Sequence, residues 1–266
     1  MRVCLLCVVL CGNLLAPAAF GAGKRRNAAA AKFKQGWRHF AGRLLFWSAE
    51  RGLLRVKDHG ERRPFAGPLS ILPVELLIPK DLRRHSLETA RDSWAIANKL
   101  RHVGDFGFDR KKVDAIGFAG LVHDIGKFVI PKGIVDKPGD LDPREWKVMK
   151  KHATVGPAIA RALFGRRATA FAKTVIEALG SHHEREDGKG YPWGLKGKQI
   201  AAAGRVVHVA DVRSALAEPR PYHEPLPGAE ARQRIAQGEG TEFDPHVARA
   251  LLEVLNERLA RKLGAR

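Results

Sequence analysis

Histidine and acid residues recur along the sequence as His85, His123-Asp124, His152, His182-His183 and Asp211, at intervals of 38, 29, 30 and 28 residues. Imidazole and carboxylate together suit iron, manganese or zinc better than magnesium or calcium. A single such histidine is more often a hydrogen-bonded structural residue than a ligand. The adjacent pair His123-Asp124 changes the weighing, because it sits inside the otherwise apolar helical stretch AIGFAGLVHDIGK. Two ionisable neighbours in a buried segment need compensation, which a pair of metal ions supplies. A carboxylate held between two metals sets the spacing used for in-line displacement at a phosphoester.

The elements that must bring these residues together read as helices. Apolar periodicity predicts helices over 86–101, 111–123, 143–164, 167–182, 199–217 and 245–262, separated by loops rich in Gly, Pro and Asp. In the first of them Leu87, Ala90, Trp94, Ala97 and Leu100 share one face. No convincing period-2 strand and no internal repeat is visible. The expected fold is all-α, a helical bundle in which each chemistry-bearing residue comes from a different helix and points to the core.

The 266 residues carry 47 Lys and Arg against 28 Asp and Glu, a net charge of +19. That balance favours anionic partners, though no recognisable nucleic-acid-binding module is present. All three cysteines (Cys4, Cys7 and Cys11) lie at the extreme N-terminus, so no cysteine-based metal site or disulfide is available to the rest of the chain. Residues 3–20 form an uncharged apolar run. Ala16-Pro17-Ala18 offers a small-x-small cleavage site, which suits an exported protein. The basic residues Lys24 to Arg38 favour instead an uncleaved inner-membrane anchor with the following domain in the cytoplasm. A misassigned start is a third reading. The expected division is an anchor or signal over 1–23, a basic linker over 24–80 that could lie against anionic lipid, and a catalytic domain over 81–266.

The segments HDIGK (123–127), IPKGIVDKPGDLD (130–142), EWKVMKKHATVG (145–156), HHEREDGKGYP (182–192), RVVHVADVRSAL (205–216), RPY (220–222) and FDP (243–245) together resemble the HD-GYP phosphodiesterases. The likeness runs from about Asp81 to Leu263 in order and spacing. It implies an all-α fold, two or three divalent metals (most often iron or manganese), and hydrolysis of cyclic di-GMP to pGpG, with further cleavage to GMP left open. By this resemblance His85, His123, Asp124, His152, His182, His183 and Asp211 are metal ligands, with Asp124 bridging. Lys127 lies near the scissile phosphate, Tyr191 against the guanine nucleotide, and Arg220 on a phosphate. His223 stands where the family has Lys or Arg. Asp81, four residues before His85, is either an acid ligand for a third metal or a helix-terminal acid. Three further departures stand out. Arg213 and Ser214 replace an aromatic and an acid, and His208 shares a helical face with Asp211, so core packing and a bond to that carboxylate are both open. Two other readings are a binding module without turnover and a broader nucleotide phosphohydrolase of the HD type.

Overall fold

The computed structural model of the chain describes residues 83–103, 106–164, 169–218 and 225–264. The apolar run at 3–20, the basic segment at 24–80, Asp81, Arg220 and His223 lie outside the described residues.

The described residues form an all-α bundle, with α1 (Arg83–Lys99), α2 (Arg110–Val122), the short α3 (Lys132–Val135) and α4 (Pro143–Met149) followed by α5 (His152–Phe164), α6 (Ala170–Ser181), α7 (Ala202–Leu216), α8 (Gly228–Gln237) and α9 (Pro245–Lys262). Local chemistry starts several of them. Asp109 and Thr169 cap α2 and α6 by accepting backbone N–H groups of their first turns. At α4, Asp142 and Glu145 form a reciprocal capping box ahead of Pro143. Asp244 caps α9 in front of Pro245.

Tertiary packing then sets the layout. α1 packs against α2, α7 and α9; α6 lies against α2, α5 and α7; α8 rests on α7 and α9. Ile96, Val113, Ile116, Leu179, Val206, Val207, Ile235, Phe243 and Leu251 fill the core between them. No membrane-length apolar helix occurs among the described residues.

Besides the short α3, which lies in a stretch expected to be loop, three elements differ from the sequence expectation. The span 143–164 is two helices, broken at Lys150-Lys151. Helix α8 carries only two buried apolar side chains, Ala231 and Ile235, too few to register as a periodic pattern. Along α1 and just after it the expected Ala90, Ala97 and Leu100 are buried, but the face extends to Ser86, Thr89, Asp92, Ser93 and Ile96 and leaves Leu87 and Trp94 half-buried. Small polar residues win that face because α2 comes so near: a Cβ at Gly120 would lie 2.6 Å from Ser93 Oγ. Asp92, fully buried, is held there by ion pairs to Arg213 of α7 and Arg258 of α9.

Candidate metal centre

Seven of the sequence-selected residues meet at the centre of the bundle in two groups. His85, His123 and Asp211 form one; Asp124, His152, His182 and His183 form the other, the ligand atoms of each lying within 4.8 Å of one another. Most sit at helix ends. His85 is in the first turn of α1, His152 opens α5, and Asp211 is inside α7. His123 and His182 are the C-terminal caps of α2 and α6. His123 and Asp124 were expected within a helix; instead Asp124 begins a 3-10 turn over Ile125–Val129. Ending the helix there turns two consecutive side chains toward the same centre, which an uninterrupted helix would splay by 100°.

Close packing fixes the second group. A Cβ at Gly126 would lie 2.1 Å from the carbonyl oxygen of His152, so only glycine lets the start of α5 rest on the turn that follows Asp124. That contact sets His152 Nε2 at 3.5 Å from Asp124 Oδ1. The other carboxylate oxygen, Oδ2, lies 3.3 Å from His123 Nε2. Asp124 therefore presents one oxygen to each group. His85 Nε2 lies 3.0 Å from Asp211 Oδ1, and His123 Nε2 lies 3.5 Å from the same oxygen.

The imidazoles are oriented from behind. Nδ1 of His123, His152 and His182 each contacts a backbone carbonyl three residues earlier, at 2.8 Å: Gly120, Met149 and Leu179. A carbonyl only accepts, so each Nδ1 carries the proton and each Nε2 turns its remaining site inward. For His85 the same work is done by Ser214. Its Oγ donates to the His85 carbonyl at 3.3 Å and accepts from His85 Nδ1 at 3.0 Å. Ser214 is one turn beyond Asp211 in α7, a register visible in the sequence and there assigned no role at the site. His208 does not bond Asp211. Its Nδ1 donates to the His182 carbonyl at 2.8 Å and its ring packs on Phe243, which steadies the His182-His183 turn.

The donor set fits a cation. His123 Nε2 and Asp124 Oδ1 are buried without a hydrogen-bond partner. His152 Nε2 faces His182 Nε2 at 3.4 Å and His183 Nε2 at 3.0 Å. Neutral imidazoles aligned in this way oppose lone pair to lone pair unless a cation lies between them. Electrostatics keeps them neutral: burial, with His123 and His152 nearby, lowers the His182 pKa to about 3, and burial holds His183 well below its ordinary value and lowers His152 as well. Burial would also lower His123, but the carboxylates of Asp124 and Asp211 outweigh it and raise the value to about 10. Burial would raise Asp124 and Asp211; Lys127 and His123 hold Asp124, and His123 and His85 hold Asp211, well below the usual carboxylate range. The metal-free centre is thus an imidazolium between two carboxylates, beside neutral imidazoles able to act as ligands.

At the rim, Lys127 Nζ donates to Asp124 Oδ2 at 2.6 Å. The Tyr191 ring stacks on His183 with centroids 4.6 Å apart, and burial pushes its phenol pKa up, so the hydroxyl keeps its proton. The loop that carries Tyr191 is tied down by buried Glu184, whose carboxylate accepts from the backbone N–H of Trp193 at 2.8 Å and of Leu195 at 2.9 Å. Asp187 closes the same loop through a two-bond pairing with Arg185. His102 and His246 are exposed and belong to neither group.

The comparisons with known proteins agree with this architecture. The HD domain family profile matches residues 81–247. A cyclic di-GMP phosphodiesterase of Thermotoga maritima is 37% identical over 178 residues, covering 67% of this chain and 46% of the relative. A 3'3'-cGAMP-specific phosphodiesterase 2 of Vibrio cholerae is 37% identical over 162 residues, covering 61% of this chain and 30% of the relative. The chain therefore spans less than half the length of these relatives. In fold it is similar to an HDG"Y"P protein from Bdellovibrio bacteriovorus, with a TM-score of 0.51 and 23% identity over 66% of this chain and 52% of the other. The match over residues 81–247, together with the HDIGK and DGKGYP segments, makes the chain a member of the HD-domain family with the motif set of its HD-GYP branch.

Proposed function

We propose that this chain is a metal-dependent phosphodiesterase that opens cyclic di-GMP to pGpG, with two or three iron or manganese ions held by the two side-chain groups. The observation that carries the reading is Asp124, one oxygen toward each group and an ammonium at 2.6 Å, the arrangement a two-ion site requires. The relatives of 37% identity, named for cyclic di-GMP and for 3'3'-cGAMP, support a cyclic dinucleotide as substrate.

When bound, the metals would supply Lewis-acid charge against the phosphoryl oxygens and lower the pKa of a water molecule. The protein's own part is positional. Five histidines and two aspartates would hold the ions; Lys127 fixes the Asp124 carboxylate and adds positive charge where negative charge develops on the phosphoryl oxygens. Tyr191 keeps a protonated hydroxyl at the rim for a hydrogen bond to the nucleotide. Arg220 and His223 are assigned to substrate phosphate, and Asp81 to a third ion. In the overall step the oxygen of water joins phosphorus, the bond from phosphorus to the ribose 3′ oxygen breaks, and that oxygen leaves with a proton.

The test is metal analysis of the purified full chain with product identification on cyclic di-GMP and 3'3'-cGAMP side by side. Bound iron or manganese with pGpG formation is the expected result. Turnover of 3'3'-cGAMP alone would move the substrate assignment, and a metal-loaded protein that cleaves neither would overturn the activity.

A further inference from the structure

An exposed aromatic side chain stands one ring away from the metal-binding histidines and has no part in the assignments above. Trp146, on α4, is 43% exposed. Its indole meets the Tyr191 ring edge to face at 6.1 Å, and Tyr191 in turn stacks on His183. Lys150, the C-terminal cap of α4, places Nζ 5.7 Å from the Trp146 ring centre and 5.5 Å from that of Tyr191. Two residues later the chain reaches His152, itself 6.4 Å from Tyr191. The sequence from Trp146 to His152 thus joins an aromatic surface to a metal-binding side chain within two short turns.

The surface is built to stay in place. Helix α4 has only seven residues, too short to persist without support. It is held by the Asp142–Glu145 capping box and by an ion pair from Lys137 to Glu145 at 2.6 Å. A large apolar ring exposed on a fixed helix beside a phosphoester site, with an ammonium over it, has the composition of a nucleobase platform. The indole offers a face to stack on, and the cation answers the acceptor-rich edge of a purine or the nearby phosphate.

We infer that Trp146, flanked by Lys150, is the stacking platform for one purine base of the cyclic dinucleotide whose phosphodiester lies at the metal centre. The inference rests on the proposed phosphodiesterase reading and adds a residue that decides affinity for the base rather than the chemistry at phosphorus. Tyr191 lies between the two functions, against His183 on one side and Trp146 on the other.

The metal-loaded full chain tests it through three proteins: wild type, Trp146→Ala and Trp146→Phe. Steady-state kinetics on cyclic di-GMP should show KM raised on the order of tenfold in Trp146→Ala, the loss falling on KM rather than kcat. Trp146→Phe, which keeps a ring, should recover most of that loss. Metal per chain should match wild type in both variants, and equilibrium titration with pGpG should weaken in parallel with KM. A KM in Trp146→Ala equal to wild type overturns the platform while leaving the phosphodiesterase reading intact. So does a loss that tracks a fall in bound metal, or one that Phe does not recover. A wild-type protein that neither binds nor cleaves a cyclic dinucleotide overturns the phosphodiesterase reading, and the platform falls with it.

Discussion

Ser214 shows how much a single hydroxyl can decide at this centre. With Ser214 accepting from His85 Nδ1, the Nε2 lone pair faces Asp211 Oδ1 at 3.0 Å, an arrangement a cation between the two would satisfy. Ser214→Ala removes the acceptor without changing the packing volume much, so the ring loses its fixed tautomer and orientation. Such outer partners typically set metal affinity by about 10–100-fold, and a drop in that range is expected here by competitive chelator titration, with the melting temperature of the metal-free protein nearly unchanged. An unaltered affinity would show that His85 is oriented by other means. Asp124→Asn is expected to act differently. The amide keeps the size but replaces one carboxylate oxygen by a donor, so it cannot present acceptors to both groups. Bound metal per chain should fall and cyclic dinucleotide hydrolysis should drop below detection; full metal content with wild-type turnover would remove Asp124 from its bridging position.

Among the secondary-structure elements, the decisive contact is the one between the turn after Asp124 and the start of α5. Gly126→Ala puts a methyl group 2.1 Å from the His152 carbonyl oxygen, a backbone atom that cannot swing aside as a side chain would. Overpacking of this kind costs about 1–3 kcal/mol, and here the displaced residue is itself part of the second group of side chains. The variant should lose stability and metal together, whereas Gly133→Ala, with open space around its Cβ, should change neither. Melting temperature and metal content of the two variants give the comparison. This contact also explains what could and could not be read beforehand. The expected starts at 111, 143 and 245 fall within one residue of α2, α4 and α9, each opened by a local aspartate cap, whereas 167 lies three residues before α6, which Thr169 caps. The break at Lys150-Lys151 was not legible, since MKKHATVG contains no Pro and its one glycine comes after the break; the chain turns there to meet Gly126, a residue 26 positions from His152. The face of α1 was legible only in part, at Ala90 and Ala97 and at Leu100 just beyond it, for a related reason. Beside Ala90, Ile96 and Ala97 its buried face holds Ser86, Thr89, Asp92 and Ser93, selected by the nearness of α2 and by the Asp92 ion pairs rather than by apolarity. The candidate ligands were legible because ionisable residues at the ends of apolar segments stand out in any sequence. Ser214 and His208 act through a tautomer and a backbone carbonyl, and neither role leaves a mark on spacing alone.

For the whole molecule, the centre links pH, metal and folding. In the metal-free protein His123 carries a proton between Asp124 and Asp211, and those carboxylates raise its pKa from 6.5 to about 10. A folded-state pKa above the unfolded one contributes stability that is full below about 6.5 and is lost as pH rises through the folded value near 10. Asp124 and Asp211, held low, have the opposite sign: their contribution is present above the ordinary carboxylate range and lost on acidification. A divalent ion replaces the His123 proton rather than adding to it, so binding releases protons and strengthens as pH rises. Between pH 7 and 9 the metal-free protein should therefore lose stability while the metal-loaded protein does not lose it in step, and the difference in melting temperature between the two should widen. The expected measurement is a pair of thermal unfolding series at matched ionic strength, one with the physiological metal restored and one after chelation. His123→Gln, which has no proton to exchange at this position, should flatten the pH dependence of that difference. A gap that stays constant or narrows from pH 7 to 9 in wild type would mean that the metal-free centre is not held together by the His123 imidazolium, and that the fold tolerates the two carboxylates in some other way.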